Sequence, residues 1–82
     1  MLRVTEAGRA VVTEVATEWG VAVADVIGTR RHWPLPVIRR VAAVRLRARG
    51  YTPAQIGREL GGRHYQSVLA YLREAARRRV SE

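Results

Sequence analysis

Three observations predict an all-α fold for this chain, a compact helical domain containing a helix-turn-helix. Apolar residues recur at helical spacing in successive segments. Glycines and prolines stand between those segments, at positions suited to stopping and starting helices. The last two segments, one short and one longer and basic, are separated only by Gly61-Gly62. Eighty-two residues allow one domain over residues 1–82 with a modest core, since a chain this short buries only about 60 to 65% of the surface exposed when unfolded.

Helix 1 is expected over Thr5 to Trp19, where Ala7, Val11, Val12, Val15, Ala16 and Trp19 share a face and Gly20 stands ready as a C-terminal glycine. A short helix over Val23 to Ile27 follows, stopped by Gly28, and then the basic turn Thr29-Arg30-Arg31-His32. Pro34 and Pro36 interrupt any helix there, but Pro36 suits a first helical turn, where its missing N–H costs little. Trp33, beside these prolines, is expected to cap the core between the short helix and helix 3, with a partner contact as its alternative. Helix 3 should run from Pro36 to Arg49, with Val37, Val41, Val44 and Ala48 as its buried stripe and Gly50 at its end. Thr52 is the expected N-cap of a short fourth helix, Ala54 to Leu60, with Pro53 at its first position. The last helix should extend from Arg63 or His64 to Arg79, burying Val68, Leu69, Leu72, Ala75 and Ala76.

All 15 basic residues are arginine, and the formal charge of +8 is unevenly spread. Residues 1–29 are net −2 and residues 30–82 net +10. A polyanion is the natural partner of such a lopsided surface, because each phosphate neutralised releases condensed counterions. Two helices across a tight turn, the second longer and basic, match the plan in which the second helix enters the DNA major groove N-terminus first. Projected at 100° per residue, Arg63, Gln66, Ser67, Ala70, Arg73 and Arg77 fall opposite the apolar face of the last helix. Arg63 has the fork to grip guanine or phosphate, Gln66 can read adenine, and Ser67 can bond a base edge or phosphate. His64 flanks this face, and Tyr65 is open between packing inward and contacting DNA. Gly57 is expected to let the last helix approach closely.

The string GGRHYQSV, preceded by TPAQIGREL and, further upstream, by VAVADVIGTRR, resembles the C-terminal DNA-binding domain (domain IV) of the bacterial replication initiator DnaA, from about Val11 to Arg79. That resemblance implies a Trp-repressor-like helical fold and a double-stranded DNA partner. It implies a phosphate-holding loop at Arg30 and Arg31, a minor-groove contact by Arg39, and base-reading positions at Arg63, His64, Tyr65, Gln66 and Ser67. The family reads roughly GGRDHTTV there, so His64, Tyr65 and Gln66 differ in size and hydrogen-bonding capacity from Asp-His-Thr. At about 1 to 3 kcal/mol per mismatched contact, preference for the usual DnaA box should be lost while the phosphate grip persists. The connection around Gly50 to Thr52 is also about one residue shorter than the family's.

The chain contains no GxxxxGK phosphate loop for the initiator's ATPase chemistry, which leaves a free-standing reader of DNA, expected to act as a transcriptional or phage-related regulator. Replication-associated binding of, or competition for, DnaA boxes is the alternative, with transcription or replication proteins as further partners. A protein adaptor reusing the fold and an RNA binder stay open as other classes. An enzyme is not expected: His32 and His64 are isolated, no carboxylate pair stands out, and there is no thiol, which leaves no substrate, cofactor or metal site. Lack of cysteine fits a reducing cytoplasm, and the absence of an apolar leader in Met1 to Ala10 or of a span of ~20 apolar residues points to a cytoplasmic, nucleoid-associated chain without membrane contact. With no apolar stripe left over, a monomer is expected. The terminal Arg77-Arg78-Arg79 is open between a phosphate-seeking extension and a solvated end.

Overall fold

Thr5 ends an extended stretch and starts the first helix, its hydroxyl accepting the Gly8 N–H at 2.9 Å. The computed structural model describes residues 4–81, with side chains and burial described as far as Arg78. Among the described residues five helices follow one another: α1 (Glu6–Trp19), α2 (Val23–Ile27), α3 (Leu35–Ala48), α4 (Pro53–Glu59) and α5 (Tyr65–Ser81). The all-α class is therefore as expected, with no strand among the described residues.

The boundaries follow from local chemistry. Gly20 closes α1 in the left-handed conformation, where its N–H reaches back to Thr17 and Ala16 lends its carbonyl to Val21. Pro36 sits in the first turn of α3, which begins one residue earlier than expected, at Leu35. Thr52 and Gln55 form a reciprocal capping box at α4: the Thr52 hydroxyl accepts the Gln55 N–H at 3.2 Å and the Gln55 side chain accepts the Thr52 N–H at 2.8 Å.

α3 lies centrally, packed against α1 on one side and α5 on the other, while α4 packs on α5 and α2 rests against α1 and α3. The core joins Val11, Val12, Val15 and Ala16 of α1 to Val26, to Leu35, Ile38, Ala42, Ala43 and Leu46 of α3, and to Ile56, Leu60 and Val68. Each buried Val, Leu or Ile stabilises the fold by about 1.5–3 kcal/mol.

The inward face of α3 differs from the expected one. Val37, Val41 and Val44 are half-buried and Ala48 is exposed, whereas the stripe through Leu35, Ile38, Ala42 and Leu46 is fully enclosed. Both stripes have helical spacing, and α3 is apolar around most of its circumference. Periodicity alone therefore could not choose between them. In α5, Val68 is buried, Leu72 and Ala75 are half-buried, and Leu69 and Ala76 face solvent. Trp33 does not cap the core; it is 77% exposed.

One buried carboxylate ties the ends of this bundle together. Glu59, at the end of α4, accepts the Thr5 N–H at 2.9 Å and the Thr5 hydroxyl at 3.0 Å through Oε2. The site is favourable for a negative charge because it lies at the N-terminus of α1. Gly8 makes room for it, since a Cβ there would collide with the carboxylate. Oε1 of Glu59 has no hydrogen-bond partner among the described residues.

Candidate functional site

α4 and α5 are joined through Leu60 to His64, and two glycines make the turn possible. Gly57 lies directly beneath the Arg63 carbonyl, which a Cβ would strike, and its own carbonyl accepts the N–H groups of Gly62 and Arg63 at 3.0 and 2.9 Å. Close approach at Gly57 is thus real: the turn comes nearest, and the Val68 side chain of α5 would stand 3.6 Å from a Cβ there. Gly61, at φ +86°, lies against the Ile27 carbonyl, with no space for a side chain. The turn is therefore seated on the end of α2 as well as on α4.

α2 is too short to satisfy its own last carbonyls, and two arginines do so. Arg39 is 2% exposed; its Nε donates to the Val26 carbonyl at 2.8 Å, and Nη2 donates to the carbonyls of Asp25 at 2.9 Å and Gly28 at 3.1 Å. Burial, and after it the positive charge of Arg63, pulls the Arg39 guanidinium below its ordinary pKa. Arg63 is half-buried and donates to the carbonyls of Leu60 and Gly28, each at 2.5 Å, with a longer reach of 3.5 Å to Ile27. Both were expected on the ligand side of the molecule, Arg39 in a minor groove and Arg63 on a base edge. Here Nε and Nη2 of Arg39 and both Nη atoms of Arg63 donate to backbone carbonyls, and these bonds fix α2, α3 and the α4–α5 turn to one another. The signal for this was available: a five-residue helix stopped by Gly28 leaves its last carbonyls to donors from elsewhere.

Above these two arginines lies an open groove of about 560 Å³. One wall is Ile27, Gly28, Thr29 and Arg31 with Pro36; the other is the glycine turn with Ser67, Ala70 and Tyr71 of α5. The structure thus brings Arg31 of the basic loop and Ser67 and Ala70 of α5 to one groove. Arg30, Arg31 and His32 are exposed, and neither arginine has a hydrogen bond or ion pair among the described residues.

The outward face of α5 begins with His64, whose Nδ1 accepts the Gln66 N–H at 3.2 Å and so caps the helix. This bond commits Nδ1 to the backbone and leaves the rest of the exposed ring facing out. Tyr65, 47% exposed, stands against His64 with ring centroids 4.6 Å apart. Its hydroxyphenyl group is therefore not packed inward. Gln66, Ser67, Ala70 and Arg73 are exposed in succession along the helix. Further on, Arg77 and Arg78 pair with Glu74, the second at 3.3 Å, so this part of the terminal arginine run is partly neutralised on its own helix. The Arg79 side chain, also part of that run, lies outside the described residues.

Carboxylates are scarce along the chain from the basic loop to α5. Between Asp25 and Glu74 the only one is Glu59, which is 1% exposed. The first helix differs: Glu14 and Glu18 of α1 are paired with Arg45 of α3 at 3.1 and 2.6 Å. Among the described residues, no group of three or more His, Asp or Glu is placed to hold a metal ion, and no helix is long and apolar enough to cross a membrane. No protein family, curated protein or solved structure matches this chain.

Proposed function

We propose that this chain binds double-stranded DNA in a sequence-specific manner, as a helix-turn-helix module in which α5 enters the major groove, and that it acts as a regulator of transcription. One observation carries the reading: Ser67 and Ala70 on the outward face of α5 and the exposed Arg31 of the α2–α3 loop border a single groove, and the one carboxylate between Asp25 and Glu74 in the sequence, Glu59, is buried. An α-helix with its side chains is about 10–12 Å across, and the major groove of B-form DNA about 12 Å wide. The resemblance of GGRHYQSV to the initiator's recognition segment supports the same orientation.

In this arrangement Gln66 and Ser67 meet base edges, and the exposed edge of His64 and the hydroxyl of Tyr65 reach bases or the sugar–phosphate strand beside them. Arg30, Arg31 and Arg73 hold phosphates. Arg39 and Arg63 act indirectly, by holding the loop at a set distance from α5. The substitutions at His64, Tyr65 and Gln66 relative to the resembled pattern give a target unlike the DnaA box. Selection of bound duplexes from a random library at ~150 mM salt, where non-specific binding is weak, tests this. An enriched motif other than that box is the expected outcome. Recovery of the box itself would overturn retargeting, and the absence of any enrichment would overturn specific DNA binding.

A further inference from the structure

Trp33 is the most exposed large apolar side chain among the described residues, at 77%, and the function proposed above leaves it unused. A single exposed apolar residue needs no explanation by itself. Its setting gives it meaning. Trp33 follows Arg30, Arg31 and His32, all exposed, in a loop whose Thr29 and Arg31, and Pro36 beyond it, wall the groove facing Ser67 and Ala70 of α5. Within three residues of this exposed indole are two exposed guanidiniums that have no hydrogen bond or ion pair among the described residues. The matching chemistry is an apolar patch flanked by regularly placed anions. The edge of a DNA strand offers that combination, with deoxyribose between successive phosphates, and the loop lies on the same side as the face of α5 assigned to the major groove.

We propose that Trp33 is a DNA-contacting residue: its indole packs on the deoxyribose edge of the strand bordering the groove that α5 enters, while Arg30 and Arg31 engage the adjacent phosphates. This rests on the DNA-binding reading above. Every nucleotide carries the same sugar, so the contact adds affinity without adding sequence preference. It also secures the loop, a second point of attachment that stops the protein from pivoting about α5.

The chain has two tryptophans, so Trp19→Phe leaves Trp33 as the sole indole reporter. The duplex recovered by library selection, end-labelled for anisotropy, is titrated into this variant beside a scrambled duplex, while tryptophan emission and acrylamide quenching are followed. Binding should shift the emission of Trp33 and protect it from acrylamide. Trp33→Ala should weaken binding to both duplexes by about five- to tenfold, the size expected for partial burial of an indole, and Trp33→Phe should weaken it less. Because the side chain is exposed, an unchanged thermal melt is expected for both variants and serves as the folding control. Tight binding with Trp33 still fully quenchable, and Trp33→Ala binding as the parent does, would overturn the inference while leaving the DNA reading intact. Loss confined to the selected duplex would replace the sugar contact with base reading and overturn the assignment. Failure of the folded parent to bind any duplex would overturn the DNA reading itself.

Discussion

Arg39 and Arg31 border the same groove yet live in opposite circumstances. At its floor, Arg39 is sealed from water and gives its hydrogen-bond donors to three backbone carbonyls, with Arg63 beside it doing the same for the turn. At the rim, Arg31 is exposed and has no hydrogen bond or ion pair among the described residues. The net charge of +8 does not distinguish them. A guanidinium already holding carbonyls contributes to where things sit, whereas one facing water keeps its donors for a ligand. Charge counted along a sequence therefore overstates the binding surface and understates the scaffold.

The sharpest way to break this comparison is Arg39→Ala. Leaving several buried carbonyls without donors should cost about 3 kcal/mol of folding stability, read as a lower urea midpoint without any DNA present. Unchanged stability with lost DNA binding would place Arg39 at the ligand instead. Gly57→Ala comes next: a methyl group driven into the Arg63 carbonyl should destabilise by about 2 kcal/mol, and any surviving fold should present the loop and α5 at altered spacing.

On the rim, the expected effects are on binding alone. Gln66→Ala should cost about 1 to 3 kcal/mol against a single base pair of the selected site and little on other sequences, measured with a panel of single-substituted duplexes. Arg31→Ala should weaken all duplexes alike and reduce the slope of log affinity against log salt by about 0.9. If Gln66→Ala and Arg31→Ala gave the same pattern across the panel, the division between base reading and phosphate holding would collapse.

The smallest effect belongs to the far side of the molecule. Hydrogen bonds from Arg45 are the main cause that lowers the Glu18 pKa, against a weaker opposing effect of burial. A carboxylate whose folded pKa is depressed adds stability above its unfolded pKa and loses it as pH falls through the folded one. Removing Arg45 should therefore lower the unfolding midpoint slightly near neutral pH, and the gap from the parent should close in acid. The exposed setting of the pair keeps the effect small. DNA affinity should not change, since this side lies away from the groove.

Much of the fold was legible before the structure. Gly20, Gly28 and the Thr52-Pro53 pair mark helix ends through local backbone chemistry, which neighbouring residues decide among themselves. The pairing of the basic loop with the start of α5 was legible only through the resemblance, because nothing in spacing brings Arg31 near Ser67. The carbonyl partners of Arg39 and Arg63 were not legible, because an arginine on a helix or in a turn reads as a ligand contact until its surroundings are known. Trp33 was misplaced for the converse reason, a large apolar side chain being expected inside.

The chain's own residues, read in order, establish that it is helical, where its helices begin and end to within two residues, and that its positive charge falls after residue 29. Such properties are local: capping, glycine and proline conformations and composition act within a few residues. Only the tertiary structure decided which stripe of α3 faces inward, which arginines are committed to carbonyls and which face solvent, and that Trp33 stands out in water. Those outcomes depend on which carbonyls lack partners and which surfaces are already covered. Both are set by residues distant in the chain, so a linear pattern does not carry them.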